Sequence, residues 1–153
     1  MRNYLVRLIS TFFYIGHLPF IPGTFASFFA LLLLILLYRL GLSILPVTLL
    51  ILVLGFLSSG AAERLSGRKD PPFIVIDEVA GMFLSVFLIP YDLRIFAAAF
   101  LLFRILDTLK PFPSGCLEKL KGGIGIMADD IVAGLYANII LQFVLRFSSF
   151  KVS

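Results

Sequence analysis

Residues 40–62 read Leu-Gly-Leu-Ser-Ile-Leu-Pro-Val-Thr-Leu-Leu-Ile-Leu-Val-Leu-Gly-Phe-Leu-Ser-Ser-Gly-Ala-Ala, twenty-three positions without a charge. A run of that length and polarity is what a helix needs to cross a bilayer, about 20 residues. With Pro46 near its start it predicts a helix at about Ile44–Ala61. Upstream, no charge occurs from Leu8 to Tyr38, and the loop signal His17–Gly23 leaves a helix at about Thr24–Tyr38. Further helices are expected at about Phe73–Pro90, Leu93–Leu109 and Ala128–Phe147. Pro90-Tyr91-Asp92 makes the first two of these a hairpin, and Pro111 and Pro113 stop the second. A short amphipathic helix at about Tyr4–Tyr14 is expected to lie along the interface. The fold class is therefore all-α: a polytopic membrane bundle, one domain over residues 1–153, with about five spanning or partly embedded helices.

Composition agrees. The chain is 60% hydrophobic and 14% charged, with 17 Phe and a net charge of +4, whereas a soluble domain carries about 25% charged residues. The basic residues are scattered between apolar runs, which excludes a nucleic-acid surface and suits an anionic lipid surface. Cys116 is alone, so no intrachain disulfide forms. Arg2 and Arg7 precede an apolar stretch as in a signal peptide. Gly16, His17, Pro19, Pro22 and Gly23 interrupt it, however, and no small-residue cleavage site follows, so the segment is read as retained.

Lys and Arg counts set the orientation. With the N-terminus inside, Arg2, Arg7, Arg64, Arg68, Lys69, Arg104, Lys110, Lys119 and Lys121 fall inside. Arg39, Arg94, Arg146 and Lys151 fall outside. Of nine carboxylates only Asp92 is then outside. Asp77, Glu78, Asp107, Asp129 and Asp130 collect at the inner ends of apolar helices, near Pro22-Gly23-Thr24. Five like charges beside hydrocarbon repel unless a cation joins them. Asp77-Glu78 and Asp129-Asp130 each open a helix and have small residues one turn on, which lets helices approach closely. Helix capping competes as an explanation for one residue of each pair. It fails for Asp107, at a helix C-terminus. An ion pair with Arg104, three residues earlier, accounts for Asp107 alone. All-oxygen ligands point to Mg²⁺ or Mn²⁺ as the cofactor, with the five carboxylates as metal-binding and catalytic candidates.

Arg104 and Lys110 flank Asp107 and suit a phosphate group. Lys121 and the loop Gly122-Gly123-Ile124-Gly125 can cradle another phosphate oxygen, or the glycines form an ordinary turn that needs no ligand. Thr24 and Ser27 either cap the first spanning helix or touch the ligand. His17 reads as structural, and Cys116 lacks a partner for nucleophilic chemistry.

Pro22-Gly23-Thr24, Ile76-Asp77-Glu78 with Gly81-Met82, Phe103-Arg104-Ile105-Leu106-Asp107 with Lys110-Pro111, and Gly122-Gly123 through Gly125-Ile126-Met127 to Asp129-Asp130-Ile131-Val132-Ala133-Gly134 resemble the phosphatidylglycerophosphatase A family. The resemblance runs in order across about Ile15–Ala137. It implies a Mg²⁺-dependent bacterial inner-membrane enzyme whose site faces the cytoplasm. That enzyme would hydrolyse phosphatidylglycerophosphate, held in the bilayer, to phosphatidylglycerol and phosphate. Lys121 stands where family members often carry His, and Ser58–Asp70 is weakly matched and supplies no site residue. Two other classes remain: a CDP-alcohol phosphotransferase-like enzyme, whose long aspartate pattern is absent, and a non-enzymatic ion carrier, which needs carboxylates at several depths. Oligomeric state is not encoded in these motifs.

Overall fold

The computed structural model describes residues 2–117 and 120–147; Lys119 and Lys151 lie outside them. Among the described residues the chain is all helical. In order the helices are α1 (Arg2–Ser10), α2 (Pro22–Arg39), α3 (Ile44–Ser66), α4 (Ile76–Ser85), α5 (Leu93–Leu109), α6 (Ser114–Leu117) and α7 (Gly123–Phe147). Three are long and apolar enough to cross a membrane: α2, α3 and α7, with 18, 23 and 25 residues. At 1.5 Å per residue they reach about 27, 34 and 37 Å against a hydrocarbon core of about 30 Å.

Each spanning helix is longer than the sequence pattern suggests, for local reasons. Pro22 takes the first position of α2, where its missing N–H costs nothing. The helix α3 runs on through its polar end to Ser66 and stops at Gly67, whose φ of +67° is the left-handed conformation glycine tolerates. The helix α7 begins at Gly123 rather than near Ala128, so Gly123-Ile124-Gly125 is helix and only Gly122 remains in the turn before it.

The helix expected over Phe73–Pro90 is only Ile76–Ser85, ten residues or about 15 Å, too short to cross alone. It packs against α2, α3, α5 and α7 and occupies the middle of the bundle. Val79, Ala80, Met82 and Phe83 are fully buried on it, as expected of a helix apolar on all sides. Its C-terminal carbonyls and the irregular turn that follows would be intolerable in lipid, and neighbours answer them. Asn138 Nδ2 on α7 donates to Ser85 O (3.2 Å) and Phe87 O (2.7 Å). Tyr38 Oη at the end of α2 donates to Ile89 O (3.1 Å). Asp92 then caps α5 by accepting from Arg94 N and Ile95 N.

The outer faces of α2, α3 and α7 expose Phe28, Leu32, Leu36, Leu49, Val53, Ile139 and Phe143. Such a belt has no stable place in water and fits lipid. The helix α1 packs against α3.

Candidate active site

Close approach of α4 and α7 builds the site. A methyl group on Gly134 would strike the Gly81 carbonyl, and one on Gly81 would strike the Phe103 ring and the Asp130 carbonyl. Only glycines allow this contact. It sets the first turn of α4, with Asp77 and Glu78, against the second turn of α7, with Asp129 and Asp130. The helix α2 closes the third side. A methyl on Gly23 would run into the Glu78 carboxylate.

One oxygen from each of Asp77, Glu78 and Asp130 lies within 4.8 Å of the others. Asp77 and Asp130 are 8% and 3% exposed. Asp77 Oδ1 and Glu78 Oε2 are buried with no hydrogen-bond partner. Capping does not explain the pair on α4: the cap residue is Val75, with no side-chain bond. It does not explain the pair on α7 either, because these residues sit beyond the first turn. Burial first, then the charges of Glu78, Asp130 and Asp70, push the Asp77 carboxyl well above its ordinary value. Burial also raises Glu78. Three converging carboxylates with orphaned, buried oxygens are an uncompensated arrangement. A hard divalent cation that prefers oxygen ligands fits this donor set.

Cations stand beside this cluster. Arg104 Nη1 is 2.8 Å from Asp107 Oδ2, on the same face of α5. It also donates to Ser27 Oγ (3.4 Å), which itself donates to Gly23 O (2.8 Å). Lys110 follows α5 with a left-handed backbone, φ 45°, and its Nζ is 2.8 Å from Asp129 Oδ2. Ser114 Oγ donates to Asp129 O (3.0 Å) and ties α6 to α7. Asp107, Asp129, Arg104, Lys110 and Thr24 line one cleft of about 340 Å³ with Asp77, Glu78 and Asp130.

The cleft thus gathers all five expected carboxylates, Arg104, Lys110 and Thr24. Thr24 does not cap α2, whose cap is Ile21. Ser27 is buried behind Arg104 rather than in the cleft. Three further expected phosphate contacts are not brought there either. Lys121 lines a separate groove with Glu63, Arg64 and Lys69. Gly122 makes the left-handed turn before α7, and Gly123 packs against Gly60 and the Phe56 carbonyl, a helix-crossing role.

Asp70 is a cleft residue that the sequence did not single out. Its φ is 45°, and its N–H donates to Glu63 Oε1 (3.2 Å). The one available signal was an acidic residue just before Pro71-Pro72. His17 is stacked between Tyr14 and Phe73, as a structural residue is.

Buried carboxylates with half-buried cations beside them, in a bundle of membrane-length helices, are an arrangement suited to a metal ion and a phosphate group. The phosphatidylglycerophosphatase A family profile matches residues 8–145, and the chain belongs to that family. It is 38% identical to a putative phosphatidylinositol-3-phosphatase of Bacteroides thetaiotaomicron, over 91% of this chain and 92% of that one. It is 38% identical to the phosphatidylglycerophosphatase A of Haemophilus influenzae, over 89% and 86% of the two chains. With the Escherichia coli phosphatidylglycerophosphatase A it shares 34% over 90% and 82%. No solved structure matches it.

Proposed function

We propose that the protein hydrolyses the terminal phosphate of phosphatidylglycerophosphate, giving phosphatidylglycerol and inorganic phosphate. The reaction would depend on Mg²⁺, serve phospholipid synthesis and occur on the cytoplasmic side of a bacterial inner membrane. The observation that carries this reading is the meeting of Asp77, Glu78 and Asp130 around two orphaned buried oxygens, beside Arg104 and Lys110. Family membership supports the reaction class.

In this reading Asp77, Glu78 and Asp130 hold the metal, which when bound offsets charge on the phosphate in the transition state. Arg104 and Lys110 bind phosphate oxygens. Asp107 and Ser27 orient the Arg104 guanidinium, and Asp129 holds the Lys110 ammonium. A water molecule attacks phosphorus, the bond from phosphorus to the glycerol oxygen breaks, and that oxygen takes up a proton. Asp129 and Asp107, outside the three-carboxylate cluster, are the bases available to the water. Thr24 borders the same space at the first turn of α2, whose N-terminal dipole favours an anion.

A second headgroup is worth measuring. The Bacteroides relative carries a phosphatidylinositol 3-phosphatase description over nearly the whole chain. Both lipids present a phosphate monoester on a headgroup alcohol. A carrier reading is disfavoured because the carboxylates share one cleft.

The test is phosphate release from each of the two lipids in mixed micelles, with Mg²⁺ and with chelator, for the native chain and Asp130→Asn. Metal-dependent release from phosphatidylglycerophosphate that disappears in the folded variant supports the reading. Preference for the inositol lipid reassigns the substrate. No release from either lipid with any divalent ion overturns the assignment.

A further inference from the structure

Behind the cleft is a second cavity, of about 400 Å³, that the proposed reaction does not use. The same stretch of chain walls both. Arg68 and Phe73 line the second cavity, while Asp70, Pro72 and Ile74 line the cleft. Arg7 enters from the last turn of α1. Ala62 and Leu65 on α3 supply an apolar wall, and His17 lies against Phe73, ring centroids 5.5 Å apart.

Arg7 and Arg68, both exposed, thus border one cavity that no carboxylate lines, and Arg68 also borders the neighbouring groove with Glu63. Neither pairs with a carboxylate among the described residues. Elsewhere in the molecule Arg94 and Arg104 each hold an acid at 2.8 Å. A concavity lined by two cationic residues and no acid favours an anion. The planar fork of arginine suits phosphate oxygens. The apolar wall suits the glycerol and first methylenes of a lipid, not a free ion. Basic pockets between helices on the positive side of a membrane protein take anionic headgroups.

We propose that this cavity binds the phosphodiester headgroup of an anionic membrane lipid. Arg7 and Arg68 take the phosphate oxygens, and Leu65 and Phe73 lie against the glycerol. The inference stands on the cavity alone and holds whether or not the cleft is a phosphatase.

The test uses the full chain in dodecyl maltoside, following Tm during titration with phosphatidylglycerol, phosphatidylserine, phosphatidylcholine or inorganic phosphate. A ligand that binds only the folded state raises Tm saturably. We expect such a rise with both anionic lipids and none with phosphatidylcholine or phosphate. Arg7→Gln/Arg68→Gln should shift the midpoint at least about tenfold. Leu65→Trp, which keeps the charges and narrows the cavity, should also weaken binding and serves if the double variant does not fold. Arg104→Gln, in the cleft, should leave the midpoint for phosphatidylserine, which is neither substrate nor product of the proposed reaction, unchanged. An equal effect of phosphatidylcholine, an equal effect of free phosphate, or native midpoints in both cavity variants would overturn the proposal.

Discussion

The two ends of α4 handle buried polar groups in opposite ways. At the C-terminal end Asn138 and Tyr38 reach across from other helices and answer Ser85, Phe87 and Ile89 carbonyls. At the N-terminal end Asp77 Oδ1 and Glu78 Oε2 are equally buried and unanswered. One short helix in one bundle thus has a satisfied end and an end left open to a ligand. A protein that can place a buried Asn to serve two carbonyls is not failing to fold at the other end. In the proposed reading the two carboxylate oxygens are kept unsatisfied for a ligand.

Breaking the open end should have the largest effect. Asp130→Asn removes one of three converging oxygens. It should lower phosphate release by more than the roughly 10–100-fold cost of losing an outer-shell partner of a metal. Removing a repelling charge should at the same time leave Tm in chelator unchanged or higher. A large fall in Tm in chelator would show that Asp130 is structural. Gly134→Ala tests the contact that creates the site. The new methyl meets the Gly81 carbonyl, so both activity and about 1–3 kcal/mol of stability should be lost. Native activity in this variant would show that the helix contact is not needed.

Breaking the satisfied end sharpens the contrast. Asn138→Ala leaves two carbonyls without their donor and should cost about 1–3 kcal/mol in denaturation, with divalent-ion affinity unchanged. Loss of ion affinity there would mean that the two ends are coupled. Asp92 gives a smaller, pH-dependent effect. Its bonds to Arg94 hold the carboxyl down to about 2, below its ordinary 3.8. A lowered pKa stabilises the fold fully above the unfolded value, and that stability is lost as pH falls from about 4 through 2. Asp92→Asn should therefore flatten the acid limb of a Tm against pH curve, and an unchanged limb would refute the assignment. Lys121→Gln should change activity least, under about twofold, because Lys121 lies outside the cleft.

The fold class was legible because uncharged runs such as 40–62 carry their own explanation. The gathering of the five carboxylates in one cleft was legible because each sits at the end of an apolar run, and the small residues one turn on in both pairs announced a close helix crossing. The early end of α4 was not legible. It depends on Asn138, 53 residues from Ser85 in sequence, and no local pattern holds that bond. Lys121 and the glycines fall outside the cleft for a related reason. Gly123 faces Gly60 on another helix, so what looks like a phosphate loop is a packing surface. Asp70 escaped notice because it reaches the cleft from an irregular stretch, where periodicity gives no direction.

The central claim is that the open end of α4 is a metal site, and Mn²⁺ binding tests it without any substrate. Equilibrium dialysis, with electron paramagnetic resonance of bound Mn²⁺ displaced by Mg²⁺, should detect binding to the native chain in detergent. The same measurement should detect at least about tenfold weaker binding to Asp77→Asn and Asp130→Asn, and unchanged binding to Asn138→Ala. No Mn²⁺ binding to the folded native chain, or equal binding to all four proteins, would contradict the account.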